Sequence, residues 1–390
     1  MISSKSASIN NNLKVNVGQL DMPPRLLLGP GPSNAHPRVL QALSMRQVGH
    51  LDPTFIQVMD DVQDLLRYTW QISDGFTMGI SGTGSAAMEA SIANTVEPGD
   101  IVLVAVIGYF GERLVEMAKR YGAEVHVIEK PWGEAFTISE LRSAIEKYRP
   151  AVLGLVHGET STGVKQPLEG IGDMCQEFDC LFLVDAVTSL ATSPLFFDDW
   201  KIDIAYSCSQ KGLSCPPGLG PLAVGPRALE KIRNRTTQIR SWYLDINLLL
   251  NYWDGETRRY HHTAPINMNY ALREGLRLVA EESLEPRWAR HMEIAEFFWD
   301  GLAELGLSCH APRDLRLPAL TTVKVPEGVD AAAVARKLLL DYNIEIAGGF
   351  SQLAGKVWRV GLMGFNSRIE NAMLLLDALG RVLSSNDLAA

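Results

Sequence analysis

The sequence predicts an α/β protein with a large, mostly parallel sheet covered by helices on both faces, followed by a smaller α+β unit. Two observations predict the large unit. From Phe76 onward short β-branched runs alternate with longer helical patterns, and most runs are apolar at consecutive positions, as strands buried on both faces are. A third observation predicts the small unit: after Thr263 the alternation gives way to two helical patterns and then a strand, a helix, two strands and a last helix.

In order, FTMGI (76–80) reads as a strand, with a helix from about Ser85, and IVLVAV (101–106) as the next, with a helix over 111–121. EVHVIE (124–129), AVLGLVH (151–157), LFLVDA (181–186), IDIAYS (202–207) and GPLAVG (220–225) continue the series, with amphipathic helices over 138–147 and 171–178. Such strands joined by helices imply right-handed crossovers. Beyond Thr263 the helical pattern breaks at Pro286, and Trp288, Met292, Ala295, Trp299 and Leu302 then mark one buried helix face. LTTVKV (320–325), a helix over 329–340, the strands IEIAGG (344–349) and VWRVG (357–361) and a helix over 368–383 complete the chain. The expected organisation is an N-terminal arm over 1–24, a large unit over 25–264, a connecting helix over 265–285 and a small unit over 286–390.

Composition narrows the function classes. The 390 residues, at about 150 per domain, suggest two or three domains, and 46% apolar with 21% charged residues is globular usage, not that of a disordered or disulfide-stapled chain. A net charge of −9 has the wrong sign for a nucleic-acid binder. Five cysteines without a C-x-x-C pair read as reduced thiols, with Cys208 and Cys215 as packing residues. The longest apolar stretch, Ile101 to Ile107, is far short of the roughly 20 residues of a membrane span. The first residues lack the apolar core of a secretory signal, and the C-terminal Asp-Leu-Ala-Ala is not a peroxisomal S-K-L. The expectation is a cytoplasmic protein with no nucleic-acid or membrane partner.

Three strand ends carry the chemistry. Gly79-Ile-Ser-Gly-Thr-Gly-Ser-Ala-Ala follows a strand and opens a helix, so that backbone N–H groups and the Thr83 and Ser85 hydroxyls converge where a phosphate binds. Gly82-x-Gly84-x-x-Ala87 also fits the dinucleotide fingerprint, which keeps a nicotinamide-dependent dehydrogenase as a rival, although the acidic ribose ligand about 20 residues on is missing. Asp185 ends an apolar run; alone it reads equally as a helix cap or a satisfied core acid. Lys211, in Ser-Cys-Ser-Gln-Lys-Gly-Leu, follows another strand just before a stiff Pro-Pro-Gly turn. Phosphate cradle, carboxylate and inward lysine are the parts that hold pyridoxal phosphate: the carboxylate keeps the pyridine nitrogen protonated and the lysine forms the Schiff base.

GPGPSN (29–34), SGTGS (81–85), HGETSTG (157–163), VDAVTSL (184–190), SQKGL (209–213), YHHTAP (260–265) and WRVGLMG (358–364) occur in this order, and through them the chain resembles the class V aminotransferases of the alanine–glyoxylate and serine–pyruvate group. The resemblance implies the pyridoxal-phosphate-dependent transferase fold of type I, with a seven-stranded sheet, and a homodimer with active sites at the interface. It makes Lys211 the Schiff-base lysine and Asp185 the partner of the pyridine nitrogen. Thr83, Gly84, Ser85 and Gln210 match phosphate-loop positions, while Tyr260 and Thr263 match residues that reach the phosphate from the neighbouring subunit. Phe110 matches the ring that stacks on one cofactor face, where relatives carry Trp, and Val187 packs the other. Thr160 matches a hydroxyl near the ring oxygen, where relatives carry Ser, and also borders the substrate; Ser85 stands where a His can occur. Arg359 matches the arginine that grips the substrate carboxylate at two points, a geometry lysine cannot reproduce, and Gly31 lies on the substrate side.

The implied reaction moves an amino group from alanine or serine to glyoxylate (or pyruvate), giving glycine in the glyoxylate case. Ureidoglycine–glyoxylate transfer is the alternative within the family, and a binding protein that has lost catalysis a third class. His157, His261 and His262 form no metal set, and an adjacent His pair on a strand would face opposite ways. His50, in Gly-His-Leu-Asp-Pro, is a further candidate for the substrate pocket.

Overall fold

A computed structural model of the protein describes residues 16–255 and 257–384. The first 15 residues of the arm expected over 1–24 lie outside the described residues, as do the last six of the chain.

The chain opens with β1 (Leu26–Leu27), α1 (Pro37–Leu43) and α2 (Pro53–Trp70). Asp52 caps α2 by accepting the Thr54 N–H, Pro53 takes the first helical position, and left-handed Gln71 ends the helix. The alternating part runs β2 (Phe76–Ser81), α3 (Gly84–Thr95), β3 (Ile101–Val106), α4 (Tyr109–Arg120), β4 (Glu124–Glu129), α5 (Ile138–Tyr148) and β5 (Val152–Val156). A hairpin of β6 (Gly158–Glu159) and β7 (Val164–Lys165) follows, then α6 (Ile171–Glu177), β8 (Leu181–Asp185), β9 (Ile204–Tyr206) and β10 (Leu219–Val224). Three helices, α7 (Pro226–Arg233), α8 (Ile246–Trp253) and α9 (Ile266–Glu282), lead out of the sheet.

The sheet has seven strands in the order β2-β10-β9-β8-β5-β3-β4. Strand β10 runs antiparallel to both its neighbours and the remaining pairs are parallel. Every residue of β5, β8, β9 and β10 is buried, which explains their unbroken apolar runs, whereas edge strand β4 is only half-buried. β8 and β9 lie side by side at its centre, so their carboxyl ends open onto one place, where ligands of such sheets gather.

The smaller layer comprises α10 (Leu284–Glu304), β11 (Leu320–Lys324), α11 (Ala331–Asp341), β12 (Ile344–Glu345), β13 (Ala347–Gly348), β14 (Val357–Gly361) and α12 (Ile369–Ser384). Three departures from the sequence reading matter. The stretch 344–349, expected as one strand, is two: β12 pairs in parallel with β1, while β13 joins the antiparallel sheet β11-β14-β13. Leu28 packs into the small layer's core, so the unit expected over 25–264 gives up its first residues to its neighbour. The helical break falls at Ser283 (φ 69), ahead of Pro286, which sits in the first turn of α10 where a missing N–H costs nothing.

Two cores result. The larger lines both faces of the sheet and the smaller lies among α10, α11, α12 and β14. α10 belongs to both: Leu284 and Trp288 enter the first, Ile294, Ala295, Phe298, Trp299 and Leu302 the second.

Candidate active site

Strand β8 ends on Asp185, and β9 leads into the turn that carries Lys211. Asp185 is 2% exposed; its Oδ1 accepts the Val187 N–H and its Oδ2 the Tyr206 hydroxyl, both at 2.8 Å. Burial nevertheless pushes its carboxyl up, to about 6, against those two donors and the nearby charges of Lys211 and Arg113.

Lys211 is buried, and its ammonium is lowered chiefly by desolvation. The GPGPSN loop clamps its turn: Lys211 Nζ donates to Pro30 O, Ser33 N–H to Gln210 O, and Ser33 Oγ to Lys211 O. Gly31, at φ 120, a conformation that favours glycine, packs against the Lys211 side chain, to whose Nζ a Cβ would come within 2.7 Å. The loop that sequence reasoning placed on the substrate side is thus also what aims the lysine.

Around this pair the expected cofactor residues divide. Thr83 caps α3 without a side-chain hydrogen bond and, like Ser85, is exposed, so the first N–H groups of a 12-residue helix face outward with two hydroxyls beside them. Ser85 Oγ accepts Arg113 Nη1 at 3.2 Å, which brings a guanidinium to the same spot. Gly84 packs against the turn that carries the lysine, where a Cβ would come within 2.8 Å of Cys208 Cβ. Val187 lies beside it. Phe110 opens α4 with the Arg113 guanidinium 4.9 Å from its ring centroid, and Thr160 is buried in the turn after β6.

Tyr260 and Thr263 stand apart. Tyr260 is 60% exposed and its ring meets His50 at 5.1 Å; Thr263 is exposed as well. The His261–His262 pair, expected on a strand and facing opposite ways, lies in a loop with its rings in contact, Nδ1 to Nδ1 at 2.8 Å. His157 follows β5, its N–H on Asp185 O and its ring edge-on to Trp200, and is buried with its pKa lowered to about 3 by desolvation, which suits a neutral packing residue.

Sequence reasoning passed over two residues. Tyr206 is one, revealed only by its bond to Asp185. Glu159 is the other: wholly buried, it accepts Phe110 N–H, Ser161 N–H and the Ser161 hydroxyl, while Ser161 Oγ accepts Tyr109 N–H. The carboxylate therefore anchors the start of α4 and with it the Phe110 ring. Burial pushes Glu159 up to about 7. Its signal was an acid inside HGETSTG with no partner within the motif's own charge pattern.

Arg359, in β14, comes from the small layer and is 3% exposed. Burial lowers its guanidinium to about 10 while Glu159 opposes the shift. Its register opposite Thr322 of β11 and Ala347 of β13 fixes its backbone.

These residues fit pyridoxal phosphate. Asp185, buried with a raised pKa, makes no ion pair among the described residues, a place a pyridinium nitrogen would fill, and Gln210 Oε1 is buried with no partner among the described residues. A dinucleotide does not fit equally: β2, which precedes the Gly-rich turn, is an edge strand beside antiparallel β10, whereas a dinucleotide site needs that strand among parallel neighbours. Among the described residues no three His, Cys, Asp or Glu group to hold a metal ion, and no helix is long and apolar enough to cross a membrane.

The family model for aminotransferase class V matches residues 27–368. The alanine–glyoxylate aminotransferase of Callithrix jacchus is 43% identical over 367 residues, 93% of this chain and 89% of that one. The (S)-ureidoglycine–glyoxylate transaminase of Bacillus subtilis is 39% identical over 383 residues, 94% of this chain and 92% of that one. Among solved structures, an alanine–glyoxylate aminotransferase from Nostoc sp. superposes with a TM-score of 0.95 at 59% identity, covering 97% of this chain and all of that one.

Proposed function

The chain belongs to the class V aminotransferases, pyridoxal-phosphate enzymes, and on that premise we propose that it transfers the amino group of alanine to glyoxylate, giving pyruvate and glycine. The observation that carries the chemistry is the burial of Lys211, in the turn after β9, within electrostatic reach of buried Asp185 at the end of adjacent β8. The observation that supports the substrates is 59% identity across 97% of the chain to an alanine–glyoxylate enzyme.

When bound, the cofactor supplies an electron sink conjugated to the substrate Cα. The protein's part follows from its residues. Asp185 would hold the proton of the pyridine nitrogen, with Tyr206 and Val187 N–H fixing the carboxylate's orientation. Lys211 would carry the cofactor, and its amine, whose pKa desolvation lowers, would act as base and then acid for the proton of the substrate Cα. The α3 N-terminus, Thr83, Gly84, Ser85 and Gln210 would hold the phosphate. Phe110 and Val187 would pack the two faces of the ring, Thr160 would bind its oxygen, and Arg359 would take the substrate carboxylate on its free edge, Gly31 leaving room beside the lysine.

The reading includes a homodimer in which Tyr260 and Thr263 reach the neighbouring subunit's phosphate. Their exposure supports it, as do Trp242 at 61% and Leu40, Met45 and Leu51, all exposed apolar surface. It also places the enzyme in the cytoplasm, supported by five free cysteines, which suit a reducing compartment; cell fractionation tests this.

The 39% identity to a ureidoglycine enzyme keeps one second donor in view. A panel of alanine, serine and ureidoglycine with glyoxylate, run on the wild type and Lys211→Ala, tests the whole reading. Alanine is expected to give the highest kcat/KM, and Lys211→Ala to lose steady-state turnover while keeping the cofactor non-covalently. Ureidoglycine ahead of alanine reassigns the donor, and turnover by Lys211→Ala removes the lysine from the chemistry.

A further inference from the structure

Arg359 is buried in the middle strand of the small sheet, with one donor already engaged: Nε donates to Gly348 O at 2.8 Å. Among the described residues its Nη1 and Nη2 meet no acceptor. The centroid of the Phe350 ring lies 3.9 Å from Arg359 Cζ, the geometry of an aromatic face on a guanidinium. The same ring meets Tyr109 at 5.1 Å, Tyr109 meets Phe110 edge-on at 5.6 Å, and Arg113 lies over both. A row of rings thus runs from the arginine of the small layer to the ring-stacking position of the large one.

We propose that Phe350 is the positioning residue of the carboxylate grip: covering one face of Arg359, it presents the Nη1–Nη2 edge, and that edge alone, to the carboxylate of donor and acceptor alike. The proposal rests on the reading of Arg359 as the carboxylate's partner. The backbone holds the ring there. Gly349 donates its N–H to Val357 O and has no room for a side chain, since a Cβ would fall 2.1 Å from Leu353 O. Phe350 is itself 37% exposed, so it stands at the border between the site and solvent and keeps water off the guanidinium face. Without the ring, the guanidinium turns about its single Nε tie and hydrates, and a two-point grip loses its geometry. The reacting atoms are untouched.

The test compares Phe350→Ala, Phe350→Leu and Phe350→Tyr in the holoenzyme. Propionate, which carries the carboxylate but no amino group, serves as the binding probe. Phe350→Ala is expected to raise KM for alanine and glyoxylate, and the propionate inhibition constant, each about tenfold, with kcat within about twofold. Phe350→Leu falls between, and Phe350→Tyr, which keeps the ring, stays near the wild type. The cofactor's visible absorbance is expected to be unchanged in all three. Unchanged KM and inhibition constants in Phe350→Ala overturn the proposal, as does a kcat loss at constant KM. If Phe350→Ala does not fold, the same criteria apply to Phe350→Leu. Arg359→Ala separates the premise: if it leaves propionate inhibition intact, the arginine reading fails, whereas if it abolishes inhibition and the Phe350 variants do nothing, only this proposal fails.

Discussion

Asp185 and Glu159 are buried carboxylates within electrostatic reach of the same lysine, and desolvation raises both, to about 6 and about 7. Their neighbours give them different work. Asp185 takes only one hydroxyl and one N–H, while Glu159 is tied on both oxygens to the chain around Phe110. Glu159 has a stability signature. Its pKa is near 4.5 when unfolded and about 7 when folded, so its contribution is fully present below the unfolded value and is lost as pH rises through 7. In the cofactor-free protein, the stability of the wild type relative to Glu159→Gln is expected to fall by about 1 kcal/mol between pH 6 and pH 8. Denaturant titrations at the two pH values measure it; a pH-independent difference means that Glu159 does not titrate there.

At the scale of elements, α4 is placed by what caps it. Gly108 precedes the helix with an extended backbone (φ 168) that any residue adopts, yet a Cβ would sit 2.4 Å from both Glu159 Cγ and Ser161 Oγ. The demand is steric, not conformational. Gly108→Ala is therefore expected to push Glu159 and Ser161 off the first N–H groups of α4, destabilising the fold by about 1–3 kcal/mol. Cofactor affinity falls with it, because Phe110 moves with the helix. Thermal melts and a cofactor titration check both effects. Should the melts be unchanged while Glu159→Ala lowers them, the crowding at Gly108 is relieved some other way.

At the scale of the whole molecule, the two layers are fastened at the lysine. Arg287, buried at the start of α10, donates to Ala191 O and Gly212 O and pairs with Glu282, while β1 carries the chain that clamps Lys211 into the small layer's strand β12. The proposed dimer adds a third fastening. If Tyr260 and Thr263 serve the neighbouring site, mixing Lys211→Ala chains with chains carrying Tyr260→Ala and Thr263→Ala rebuilds one intact site per mixed dimer. About a quarter of wild-type activity is expected after random re-association of equal amounts. Activity no higher than the mean of the two parents, with mixed dimers confirmed by mass, would place both residues in their own subunit's site.

Lys211, Asp185 and the Gly-rich turn were legible because each belongs to a short segment whose strand or helix pattern fixes where it stands: at the end of an apolar run, or at the opening of a helix. The helices α1, α2, α7 and α8 went unread, although the buried Phe55, Met59, Val62, Leu66 and Trp70 of α2 keep a helical spacing. The single strand expected over 344–349 failed for a different reason. Its halves pair with chain segments before residue 28 and after residue 356, and no local pattern records that choice.

By itself the sequence determined the layered α/β fold, the cofactor class and the three strand ends that carry it, because those follow from periodicity and motif order along neighbouring residues. Only the tertiary structure decided which groups face them. Pro30 reaches Lys211 across 181 positions, Tyr206 reaches Asp185 across 21, and Phe350, in the loop after β13, covers an arginine that lies on β14. A pKa, a clamp or a stacked face depends on burial and on distance in space, and the chain fixes neither until it has folded.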